Sequence, residues 1–144
     1  MAIYRSSFKT TGAGTSARPI GSIYGIASVC GWLLEAHIFN TTAVAAEFTL
    51  VRLTSAGTPG TGKTEAKEWP DSVAASLTSF DTHSADAGIG DELERVQLPA
   101  AAGGGVILTF GDRGIHIPAG TANGIGFVPV GTGQICVVKF RWAE

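Results

Sequence analysis

Apolar residues recur at every second position along most of the chain, and glycine-bearing gaps separate the runs. A period of two puts alternate side chains on opposite faces of a strand, whereas a helix needs a period near 3.6. In "QICVVKFRW" (134–142) Cys136, Val138, Phe140 and Trp142 share one face. In "WLLEAHIF" (32–39) Trp32, Leu34, Ala36 and Ile38 share one face, with Glu35 and His37 on the other among Leu33 and Phe39. "AEFTLVRL" carries Phe48 and Leu50 and then changes phase to Val51 and Leu53, which predicts a bulge or burial on both faces.

"VILTF" (106–110), "GIHIP" (114–118) and "NGIGFVPV" (123–130) continue the series, separated by "GDRG", "AGTA" and "GTG". These gaps hold the residues that tight turns require. With "IYRSSF" near the start and weaker strands around 20–28, 73–80 and 93–98, about eight to ten short strands are expected. No amphipathic helix of three turns is present. The expected fold is therefore all-β: an antiparallel β-sandwich, jelly-roll-like, with long glycine-rich loops. The organisation expected is an N-terminal arm or first strand over 1–20 and a single β-sandwich domain over 21–144.

Only 15% of residues are charged, 44% are hydrophobic and twenty are glycine. Charge this sparse fits a surface partly covered by other copies or by a larger assembly, since interface cores are depleted of charge. The net charge is −2 and the ten Lys and Arg are scattered singly, so neither a nucleic-acid partner nor a membrane is expected. The uncharged run "PIGSIYGIASVCGWLL" (19–34) is too short and too broken by glycine and serine to be expected to span a bilayer. The two cysteines, Cys30 and Cys136, form no metal-binding or CxxC spacing and are expected to be buried small hydrophobes.

"GTPGTGKT" (57–64) matches the phosphate-binding P-loop letter for letter through Gly57, Gly62, Lys63 and Thr64. A working P-loop follows an apolar central strand and opens a helix whose N-terminus faces the phosphates. Here Pro70 would stop that helix after about two turns, and the preceding strand carries Glu47 and Arg52. The match is read as a false one, with no nucleotide and no cofactor expected. "DTHSADAGIGDE" places Asp81 and Glu92 at the ends of a calcium-loop template but fails inside, with His83, Ala85 and Asp86 at the wrong places. His37, His83 and His116 form no metal-ligand group, and no serine sits in a nucleophile elbow. No catalytic residue and no metal are expected, and the chain is not read as an enzyme.

Trp32 and Trp142 are expected in the core, and Trp69, beside Pro70 in a polar loop, is expected to be exposed or at an interface. Tyr4 and Phe8 lie in an N-terminal segment that reads equally as an arm docking on a neighbour or as a first strand. Tyr4, Phe8 and Trp69 are the candidate interface residues.

Over residues 30–144 the chain resembles small virion proteins of tailed bacteriophages. The resemblance is carried by "AAEFTLVRLTSAGTPGTGKTEAK" (45–67) and by the segment from "DELERVQLPAAAGGG" to the end, above all "IHIPAGTANGIGFVPV" (115–130) and "CVVKFRWAE" (136–144). It implies a capsid decoration, or cement, protein that binds the major capsid protein on the outside of the virion, with itself as a further partner in a homotrimer. A tail or baseplate accessory protein, or a virion-displayed carbohydrate- or receptor-binding module, is the alternative. The resemblance brings no catalytic residue with it.

Overall fold

A computed structural model describes residues 1–144. The chain forms twelve strands and no helix. They are β1 (Ile3–Lys9), β2 (Gly21–Tyr24), β3 (Gly31–Asn40), β4 (Ala46–Ser55), β5 (Gly62–Lys63), β6 (Ala66–Lys67), β7 (Thr78–Phe80), β8 (Gly88–Leu98), β9 (Gly105–Thr109), β10 (Ile115–Ile117), β11 (Gly124–Val130) and β12 (Cys136–Ala143). The excess over the expected number comes from the two-residue strands β5 and β6, too short to leave a periodic pattern. Every pairing is antiparallel. The first sheet runs β10-β3-β12-β1-β6, with β9 beside β10 on the same flank of β3; the second runs β5-β7-β2-β11-β4-β8.

The sheets form a β-sandwich whose shared core joins Leu33, Ala36, Ile38, Val138, Phe140 and Trp142 of the first to Ile23, Phe48, Leu50, Ile125 and Phe127 of the second. Burying each such large side chain contributes roughly 1.5–3 kcal/mol. β12 keeps the expected alternation, with Cys136, Val138, Phe140 and Trp142 all fully buried. β3 does not. Its register against β12 slips between Arg141 and Trp142, so that Glu35 pairs with Arg141 and Leu33 with Trp142. This one-residue bulge turns Leu33 into the core and leaves Trp32 and Leu34 only half-buried. Trp32 is accordingly not a core residue; it packs against His116 at 5.6 Å.

The phase change in β4 has both of its expected causes. Its ladder with β8 shifts between Leu50 and Val51, and Val51 and Leu53 join Tyr24, Ala87 and Val128 in a second cluster. Ala56 and Phe80 pack against that cluster.

The N-terminal segment is a strand, not an arm. β1 pairs along its whole length with β12, and Tyr4 and Arg5 pair with β6 on the other side. Tyr4 is only 1% exposed and stacks on Trp142, with ring centroids 5.8 Å apart. The period-two pattern of "IYRSSF" carries its ring inward, so Tyr4 offers nothing to a partner. Phe8 is half-buried against the same core. Cys30 is half-buried and Cys136 fully buried; both thiols are free.

Candidate functional site

The P-loop-like segment is built as a cover for the second sheet. No helix follows Thr64; β5 pairs Gly62 with Phe80 and Lys63 with Ser79. Gly57 has φ +56°, and a Cβ there would run into the Asp86 carbonyl oxygen, so only glycine permits this close approach. Thr58 bridges to Ala85. The Lys63 ammonium lies 2.8 Å from Asp81 Oδ2 and 5.3 Å from the centre of the Phe8 ring. Burial alone would raise the Asp81 pKa, but Lys63 and the N–H groups of Thr11 and Thr82 outweigh it and hold the carboxylate below its ordinary range. Lys63 is spent on this pair, Gly57 closes onto residues 85–86 and Gly60 onto Asp81 and Thr82, so neither opens around an anion.

The second segment read for chemistry, "DTHSADAGIGDE", is drawn into the same cover. Ser22 Oγ and His83 Nε2 are 2.8 Å apart, a spacing that could serve nucleophilic catalysis if exposed. Ser22 is fully buried and His83 is 3% exposed, with Tyr24 beside its ring. Burial pushes the His83 pKa down to about 4, leaving a neutral ring that ties the 81–88 segment to β2. Asp81 is bound to Lys63, Asp86 to Arg18 and Glu92 to Arg95. No group of three His, Cys, Asp or Glu side chains is placed to hold a metal ion.

The remaining candidate is the loop between β6 and β7. Ser72 N–H donates to the Trp69 carbonyl at 2.9 Å, closing a turn over Trp-Pro-Asp-Ser in which Pro70 takes the position its fixed φ favours. Trp69 is 61% exposed and Val73 77%. The turn itself is pinned at both ends. Glu68 N–H donates to the Ile3 carbonyl, and the Glu68 carboxylate accepts Arg5 and Arg141, each at 2.6 Å. Arg141, joined by Arg5 and opposed by burial, draws the Glu68 pKa down to about 2. Tyr4 Oη donates to the Val73 carbonyl at 3.0 Å, and the Glu65 carboxylate accepts Ala75 N–H. The Glu144 carboxylate accepts Ser76 N–H, Leu77 N–H and Trp142 Nε1–H.

Comparison with known proteins identifies nothing. No protein-family model, curated protein or solved structure matches the chain.

Of the three candidate interface residues, the structure leaves Trp69 outermost, half-buries Phe8 beneath Lys63 and buries Tyr4. Tyr4 still serves the same loop from behind, through Val73. Glu68 and Glu144, which fix the loop, carry no local signal in the sequence, because the contacts that tie the loop down join residues far apart along the chain. The arrangement can present an indole and an isopropyl group on a rigid base, which is a binding geometry.

Proposed function

We propose that this protein is a virion structural protein of the capsid decoration type, docking on the outer surface of a tailed-phage capsid through the Trp69 turn and stabilising the particle. One observation supports the reading above others: two exposed apolar side chains, Trp69 and Val73, stand on a loop held by side-chain hydrogen bonds from five separate residues. Ordering a loop at an interface costs binding free energy, and a loop ordered beforehand avoids that cost. Tryptophan is also among the residues that dominate binding at interface centres. The sparse surface charge and the residue-level resemblance point the same way. Each docked copy adds to the work of separating capsid subunits, and many copies add together.

The test is co-sedimentation of the purified protein with capsids stripped of it and, separately, with isolated tails. Saturable binding to capsids is expected, with Trp69→Ala weakening it by about thirtyfold, the effect of losing a hot spot worth about 2 kcal/mol. Circular dichroism of the variant should match the parent. Binding to tails alone would move the protein to the tail, and undiminished capsid binding by Trp69→Ala would remove this loop from the contact.

A further inference from the structure

The sandwich has two neighbouring open edges that differ in kind. β8, the edge of the second sheet, is broken by three register shifts against β4 and carries Asp91, Glu92, Glu94 and Arg95. Bulges and charges of this sort prevent a strand edge from pairing with another chain. β9, the edge of the first sheet, has none of these. It reads Gly-Val-Ile-Leu-Thr, without charge or proline, and pairs with β3 without a register shift. No charged residue lies between Arg95 and Asp112, and the exposed loop leading into β9 consists of Pro99, three alanines and glycine.

Phe110 N–H donates to the Leu34 carbonyl, and Asn40 N–H to the Gly104 carbonyl. Even-numbered residues of this strand therefore turn their backbone polar groups towards β3. Those of Gly105, Ile107 and Thr109 point the other way, where no strand is paired. All three residues are exposed, Ile107 by 57%, while Val106, Leu108 and Phe110 stand half-buried at the rim of the core.

We propose that β9 pairs with β9 of a second copy of this chain, antiparallel about a two-fold axis through Ile107. In that register Ile107 faces Ile107 of the partner subunit, and Gly105 faces Thr109 of the partner subunit in both directions. Each of these pairs exchanges two hydrogen bonds, so all the outward N–H and C=O groups of the three residues are satisfied together. On the inner face Val106 meets Leu108 of the partner subunit, which covers the half-buried rim. The occupant is a second copy because β9 is self-complementary about Ile107: this register satisfies the outward groups of both strands at once, and neither strand carries a charge or a proline to oppose it. The small residues before it leave room for the approach. A two-fold contact makes a dimer, unlike the trimer that the resemblance implies, and it does not depend on where Trp69 docks. A pair of five-residue strands buries less than the roughly 1,200–2,000 Å² of a tight complex, so the dimer dissociates on dilution.

The experiment is solution mass by light scattering from about 10 μM to about 1 mM, the range in which so small an interface dissociates, with amide hydrogen exchange at both ends of the series. The expected result is a rise from monomer to dimer mass, with the amides of Gly105, Ile107 and Thr109 slowing by about tenfold as the dimer forms. Ile107→Lys should stay monomeric with unchanged thermal unfolding; Thr109→Lys serves if that variant fails to fold. A mass that never leaves the monomer would overturn the proposal. So would a dimer or trimer in which these three amides exchange as fast as in the monomer, a result that needs no variant.

Discussion

Lys63 shows how one residue changes meaning between motif and fold. Its ammonium neutralises Asp81, which is 1% exposed and also accepts N–H groups from Thr11 and Thr82. Removing one partner of a buried pair leaves the other charge without compensation. Lys63→Ala is therefore expected to lower unfolding stability by about 3 kcal/mol in urea titration, the usual cost of breaking such a pair. In an Asp81→Asn background the same substitution should cost much less, because no buried charge is left behind. Equal costs in the two backgrounds would remove the pair from the account. The sequence showed that Pro70 and the polar strand before Gly57 were wrong for a P-loop. It did not show where the lysine goes, because Asp81 is brought to it by the pairing of β5 with β7 and Phe8 by β1.

β1 and β3 show what a strand pattern leaves open. "IYRSSF" marks a strand and does not say whether that strand belongs to its own sheet or to a neighbour's. Its place between β12 and β6 comes from pairing with the C-terminal strand, at the far end of the chain. Deleting residues 1–9 should abolish cooperative unfolding and the near-ultraviolet dichroism of Trp142, since it strips the edge of β12 and removes Tyr4 from the core. An arm serving only a neighbour would be lost without changing either signal. In β3 the alternation was legible, and its phase held at Ala36 and Ile38 but not at Trp32 and Leu34. A bulge inserts one residue, and one residue exchanges the faces, so Leu33 rather than Leu34 reached the core.

At the scale of the whole molecule, acid should lower the stability of the fold in two steps with separate causes. His83 has its folded pKa lowered from about 6.5 to about 4, so the unfolded chain binds the proton first. Its contribution is complete above pH 6.5 and is lost as pH falls towards 4, amounting to about 3 kcal/mol. Glu68 is lowered to about 2, and its contribution is present above its unfolded value and lost as pH falls from about 4.5 to 2. That second step is expected to be smaller, about 2 kcal/mol, because the carboxylate keeps some contact with water. Urea unfolding across this pH range checks both. His83→Gln should flatten the upper step and leave the lower one; an unchanged upper step would show that His83 is not its source. Each step acts on one of the two loop systems, the 81–88 cover and the Trp69 turn.

The sequence by itself determined that this chain is all-β, where most of its turns fall, that β12 buries Cys136, Val138, Phe140 and Trp142, and that Trp69 stands exposed. Period-two patterning, turn residues and a proline in a polar loop are local properties, and local properties can be read along a chain. Tertiary structure alone decided the phase of β3, the inward course of Tyr4, the pairing of Lys63 with Asp81 and of Ser22 with His83, and the anchoring of the Trp69 turn by Glu68 and Glu144. Each of these depends on which distant strands lie side by side. Alternation sorts side chains into two faces but does not name the neighbour that either face will meet.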